Sequence, residues 1–218
     1  MSTVINNFHS IEQDIQKKNL INKKHNIIAV SKTFTMDKIL PLVESGHIHY
    51  GENKVQEALS KWAPTKKDFP EIKLHMIGKL QTNKVKKAFQ IFDYIHSLDS
   101  KKLADSFKAC ETSNKKKLKY FIQVNVGQEI QKSGISYGEL DQFYTYCKNN
   151  LDLNVIGLMT IPPNDGNEEK YFKNLYEAGI ALELKEFSMG MSSDYLKALK
   201  HNSTFLRIGS LIFGQRDQ

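Results

Sequence analysis

Short apolar runs alternate with longer amphipathic stretches along almost the whole chain, and the period of each run says what it builds. Val4, Phe8, Ile11 and Ile15 recur at helical spacing behind Ser2 and Thr3. They predict an amphipathic helix from residue 3 to about residue 20, opened by a hydroxyl cap. Ile27-Ile28-Ala29-Val30 is too short for a helix core and rich in β-branched side chains, so it reads as a strand buried on both faces, as in a parallel sheet. Further strands are predicted at 48–53 with their exit loop, 72–77, 94–98, 120–126, 155–159, 187–190 and 205–209. Helical patterns separate them, carrying Ile39, Leu40 and Val43, then Val55 to Trp62, 84–90, Leu103 with Phe107 and Cys110, Leu140 with Phe143 and Cys147, 171–184, and Leu196 with Leu199. Ser192 or Ser193 is the expected cap of the last of these.

Eight strands alternating with helices predict a (β/α)8 TIM-type barrel, because each parallel connection needs a crossover helix and closure removes both sheet edges. No linker, repeat or low-complexity segment divides the sequence, so residues 1–218 are read as one domain. The opening helix is expected to occupy the place of an eighth outer helix. An open doubly wound sheet is the alternative if one of the weaker strands is absent.

Charge adds little to this picture. The net charge of +7 rests on lysine, with Arg207 and Arg216 the only arginines, and bidentate reading of phosphates and bases favours Arg. Nucleic acid is not an expected partner, and the scattered lysine pairs read as solvated helix faces. Cys110 and Cys147 are far apart with no clustered ligands, which supports neither a disulfide framework nor a zinc site. No apolar run spans a bilayer and no leader pattern opens the chain, so a cytoplasmic protein without a membrane partner is expected.

The strand exits of a barrel converge on one face, and here they are polar. Lys32 ends the first strand close to low dielectric, where loss of hydration frees the amine to condense with a carbonyl compound such as pyridoxal phosphate. The other reading is a lysine that snorkels to the rim. Ser188-Met189-Gly190-Met191-Ser192 and Gly209-Ser210 leave the seventh and eighth strands, the usual place for a phosphate in a barrel, although a Ser/Gly loop before a helix is also simply a cap. Arg207 interrupts an apolar strand and needs a buried partner or a ligand. A pyridine nitrogen is one such partner, and a carboxylate such as Glu52 is the other. His47 and His49 are read as lying on one side of a strand, as core or surface histidines rather than metal ligands; His75 is read alike.

Several blocks recur together: Ala29-Val30-Ser31-Lys32-Thr33, Tyr50-Gly51-Glu52-Asn53, His75-Met76-Ile77-Gly78, Lys132-Ser133-Gly134, Gly157-Leu158-Met159-Thr160, Ser188 to Ser192, and Arg207-Ile208-Gly209. In these the chain resembles, over nearly its whole length, the pyridoxal phosphate homeostasis family, related to the N-terminal barrel of alanine racemase. The resemblance implies a monomeric binder of pyridoxal 5'-phosphate (PLP) in vitamin B6 homeostasis, without established catalysis, that hands the cofactor to PLP-dependent apoenzymes. It implies that Lys32 carries the cofactor as a Schiff base, that Ser188, Ser192, Gly209 and Ser210 surround the phosphate, and that Arg207 faces the pyridine nitrogen. Asn53, His75 and Met159 line the ring pocket on the same grounds, and Lys132 stands near the mouth. The family often has a second lysine two residues after the first; here that position is Phe34. A PLP-dependent amino-acid racemase is the alternative, but two-base racemisation draws its second base from a further domain, for which 218 residues leave no room.

Overall fold

The computed structural model describes residues 2–18, 25–129 and 131–215. Eight parallel strands close into one barrel in sequence order: β1 (Asn26–Val30), β2 (His49–Glu52), β3 (Lys73–Met76), β4 (Tyr94–Leu98), β5 (Lys119–Gln123), β6 (Val155–Met159), β7 (Glu186–Met191) and β8 (Phe205–Ile208). β1 pairs with both β2 and β8, so closure is complete and the open sheet is excluded. The weakly patterned seventh strand is a full six-residue strand. The helices are α1 (Thr3–Lys17), α2 (Met36–Glu44), α3 (Val55–Asp68), α4 (Val85–Ile91), α5 (Lys101–Asn114), α6 (Tyr137–Thr145), α7 (Glu168–Ala181), α8 (Tyr195–Lys200) and α9 (Ser210–Phe213). A π-helical turn, Tyr146–Asn150, continues α6.

Strand alternation divides the apolar residues into two layers. Ile28, Tyr94, Phe121, Met159 and Phe205 point inward and pack on one another inside the barrel. Their neighbours Ala29, Tyr50, Leu74, Ile95, Tyr120, Leu158, Phe187 and Leu206 face outward into the larger core beneath the helices. Gly157 marks a place where only glycine fits, since a Cβ there would lie 1.9 Å from the Glu186 carbonyl oxygen on the adjacent strand.

The opening helix buries Val4, Phe8, Ile11 and Ile15 as its spacing demands. It packs against α2 on one side and α9 on the other, and Tyr195 of α8 reaches its Asp14, which places α1 between the last and first outer helices. The helix ends at Lys17, with Lys18 at its C-cap, short of the expected residue 20; Arg216 lies outside the described residues. Ser2 occupies the cap position without a side-chain cap bond. Pro41 stands inside α2 although it lacks the N–H for an internal helix bond; the buried face is Ile39, Leu42 and Val43, and tertiary packing outweighs the local penalty. Cys110 and Cys147 are both free and buried.

Candidate functional site

The turn after β1 carries Lys32. Phe34 N–H donates to the Ser31 carbonyl (3.2 Å), closing a four-residue turn with Lys32 at its second position. On the adjacent strand, β8 presents Arg207 and then Gly209 and Ser210, while β7 beyond it runs into Met191, Ser192 and Ser193. These residues line one cavity of about 650 Å³, together with Val30, Phe34, Ile77, Ile161, Gly214 and Gln215. That volume falls within the range of small-molecule and cofactor sites. Of the residues expected at the site, Lys32, Ser192, Arg207, Gly209 and Ser210 therefore meet at one place.

Arg207 is 4% exposed. Its NH1 donates to the Ser188 carbonyl (2.6 Å) and Ser188 Oγ (2.7 Å), and its NH2 donates to the Thr160 carbonyl (2.7 Å). Among the described residues no carboxylate forms an ion pair with it; Glu52 instead faces outward from β2, with Lys61, Ser31 and Trp62 on its Oε1 at 2.8, 2.7 and 2.9 Å. The expected Arg207–Glu52 alternative fails because the two side chains stand on opposite faces of the barrel wall. Burial draws the Arg207 pKa down to about 10, and the more distant Asp194 opposes that drop, so the guanidinium stays charged at neutral pH.

Asn53, His75, Met159 and Ser188 do not line the cavity. Met159 belongs to the inner apolar layer, and Asn53 packs where a Gly78 Cβ would lie 2.7 Å from its own Cβ. Ser188 and His75 are fully buried below Arg207 in a column that strand-exit reasoning missed. His49 Nδ1 lies 2.9 Å from His75 Nε2, His75 Nδ1 2.9 Å from His96 Nε2, and His96 Nδ1 2.8 Å from Ser188 Oγ. Burial holds His75 and His96 well below the usual histidine range, with the His96 charge acting next on His75 and the Arg207 charge next on His96. The rings are thus neutral at pH 7. With Ser188 accepting from Arg207 and donating to His96, His96 and His75 each carry the proton on Nε2, and each passes one hydrogen bond along the column toward His49. His47 does not share a side with His49; it lies in the turn before β2, 4.7 Å from the Phe8 ring and 2.9 Å from the His49 carbonyl.

The loop after β7 is shaped by Gly190 at φ +92°, where a Cβ would lie 2.6 Å from Ala198 Cβ, so glycine lets α8 seat directly behind the cavity. Asp194, not a serine, holds the cap position of α8, and its Oδ1 accepts from Met191 N–H (2.6 Å). Ser192 and Ser193 are thereby left on the cavity side. Lys132 lines a smaller neighbouring cleft of about 260 Å³ with Lys79 and Asn125. It pairs with Glu129.

The sequence matches the family model described as "Alanine racemase, N-terminal domain" over residues 7–217. It is 39% identical over 199 residues to the pyridoxal phosphate homeostasis protein of Aquifex aeolicus, covering 87% of this chain and 86% of that protein. The chain belongs to the pyridoxal phosphate homeostasis family. A second family member, from Vibrio alginolyticus, is 34% identical over 218 residues, covering 95% of this chain and 93% of that one. PipY of Synechococcus elongatus, solved with PLP bound, superposes with a TM-score of 0.86 at 29% identity, covering 97% of this chain and all of PipY. Among the described residues of this family member, no helix is long and apolar enough to cross a membrane, and no cluster of three or more His, Cys, Asp or Glu could hold a metal ion.

Proposed function

We propose that the chain binds PLP in the 650 Å³ cavity and holds it through Lys32 for homeostasis rather than turnover. The observation that carries this reading is the meeting of Lys32 with Arg207 and the Ser192, Gly209 and Ser210 wall in one cavity. The donor set fits an aromatic aldehyde bearing a phosphate: one amine, one guanidinium, serine hydroxyls, and Val30, Ile77 and Met191 for the flat ring. PipY, solved with PLP bound, and the names of the curated relatives support it.

When bound, PLP supplies an aldehyde that condenses with an amine and a conjugated ring that withdraws electrons from the adduct. Lys32 supplies the amine. Ser192, Gly209 and Ser210 would hold the phosphate, and Arg207, fixed from behind by Ser188 and Thr160, would offer an N–H donor to the ring nitrogen. A charged donor there would leave the nitrogen unprotonated and the ring a weaker electron sink, which would suit storage. Ser188 and His75 act by fixing Arg207 rather than by touching the ligand. Among the described lining residues only Lys32 and Arg207 are titratable, whereas two-base racemisation calls for a base on each face of the cofactor. Transfer to PLP-dependent apoenzymes by a monomeric carrier completes the proposal.

The test is the absorption spectrum of the purified protein with PLP, followed by borohydride reduction, peptide mapping and an assay for racemisation of L-alanine. A visible band trapped on Lys32 and lost in Lys32→Ala, with no D-alanine formed, is the expected result. Label spread over surface lysines overturns the site, and turnover of alanine restores the racemase.

A further inference from the structure

Thr33, the residue after Lys32, has φ +70°. A β-branched side chain at positive φ is a genuine outlier, because its Cβ crowds the backbone, and the third position of such a turn ordinarily takes glycine. A strained residue persists only where its surroundings over-determine it. Here two side chains of α3, one helical turn apart, do so. Glu57 Oε1 accepts from Thr33 N–H at 2.7 Å. Lys61 Nζ donates to the Ser31 carbonyl (2.8 Å), the Phe34 carbonyl (3.1 Å) and Glu57 Oε1 (3.2 Å), so Ser31, Thr33 and Phe34 are all tied to this pair. Lys61 is itself anchored on the buried Glu52 (2.8 Å). Burial works against the Glu57 carboxylate, yet the Thr33 N–H and Lys61 hold its pKa below the usual range, so the acceptor is charged at neutral pH.

We propose that Glu57, backed by Lys61, is a positioning residue: it locks Thr33 in the left-handed conformation and so aims Lys32 into the cavity. The inference rests on the reading of Lys32 as the PLP-binding lysine. Without the carboxylate, Thr33 relaxes to ordinary backbone, the peptide on either side of it rotates, and Lys32 leaves its bearing. Lys61 is the poorer residue to test, because its removal strands Glu52 in the core. Glu57 is partly exposed, and its loss is expected to leave the fold in place.

The experiment compares Glu57→Ala, Glu57→Gln, Thr33→Gly and the double variant Glu57→Ala/Thr33→Gly in two measurements: PLP affinity from the Lys32-dependent band, and amide hydrogen exchange at Thr33 in the protein without PLP. Glu57→Ala is expected to weaken binding about tenfold, equivalent to about 1.4 kcal/mol, and to speed Thr33 exchange by a similar factor. Glu57→Gln keeps the acceptor oxygen and stays within about threefold of the parent on the same scale. Thr33→Gly removes the penalty of positive φ, so the double variant is expected to recover most of the lost affinity. A merely structural Glu57 predicts no such rescue, and a double variant as weak as Glu57→Ala overturns the proposal, as does unchanged Thr33 exchange in Glu57→Ala. If the parent shows no Lys32 band while exchange responds as expected, the turn lock stands and the PLP reading falls.

Discussion

Glu52 Oε1 accepts from Ser31 and Trp62 and stands in an ion pair with Lys61, while among the described residues its Oε2 has no hydrogen-bond partner. A buried carboxylate so held depends on each donor, since a lost partner leaves desolvation uncompensated. Trp62→Phe keeps most of the ring volume but removes the indole N–H, and urea unfolding is expected to show a loss of about 1–3 kcal/mol. Lys61→Met removes the countercharge and is expected to cost more, about 3–5 kcal/mol. Equal losses in the two variants would show that packing, not charge, governs the site. Little of this was legible beforehand. Glu52 sits beside Asn53 at a strand exit, which suggested the mouth, and strands buried on both faces give no polar-out signal to tell which residue points at the helices. Lys61 shares its helix with Lys66 and Lys67, and nothing in the sequence separates the one that turns inward.

Between elements, the inward positions of β2, β3 and β4 each hold a histidine, and the stagger of a parallel barrel stacks His49, His75 and His96 into one column ending at Ser188. Each histidine alone reads as an ordinary core residue; the signal was that three consecutive predicted strands all carried one, which becomes meaningful only once the strands are adjacent. Buried neutral histidines make stability depend on pH. His75 and His96 have folded-state pKa values well below the ordinary 6.5. The unfolded chain therefore binds more protons than the folded one below that value, and stability, full above pH 6.5, falls as pH drops toward the folded pKa values. The slope is at most about 1.4 kcal/mol per pH unit for each ring. Denaturant midpoints are expected to be flat from pH 7 to 8 and to decline between pH 6 and 4.5, more shallowly in His96→Gln, whose amide has no such proton to gain. An unchanged slope in that variant would place the acid sensitivity elsewhere.

For the molecule as a whole, the order and closure of the barrel could be read from alternation alone, because eight strands with crossover helices have few other ways to hide their edges. The convergence of Lys32, Arg207 and Gly209 followed from that closure; the depth of each side chain did not, since it depends on strand stagger, and His75 and Ser188 lie below the site they were expected to line. Closure also ties the two ends of the described chain. Asn7 Nδ2 of α1 donates to the Ile212 carbonyl of α9 (3.0 Å), and α9 begins at Ser210 on the cavity wall. A helix of one turn has too few internal bonds to hold itself, so its position depends on what it packs against. Asn7→Ala is expected to cost only about 1 kcal/mol of global stability, yet to loosen α9, read as faster amide exchange at Phe213 and Gly214 and weaker retention of PLP. Ile15→Ala, deep in the same helix at 1% exposure, is expected to cost about 2–5 kcal/mol. Its effect on retention should be smaller than that of Asn7→Ala, because Ile15 lies two helical turns from the α9 contact. If retention instead follows global stability across the pair, α1 supports the barrel as a whole and has no particular hold on the cavity wall.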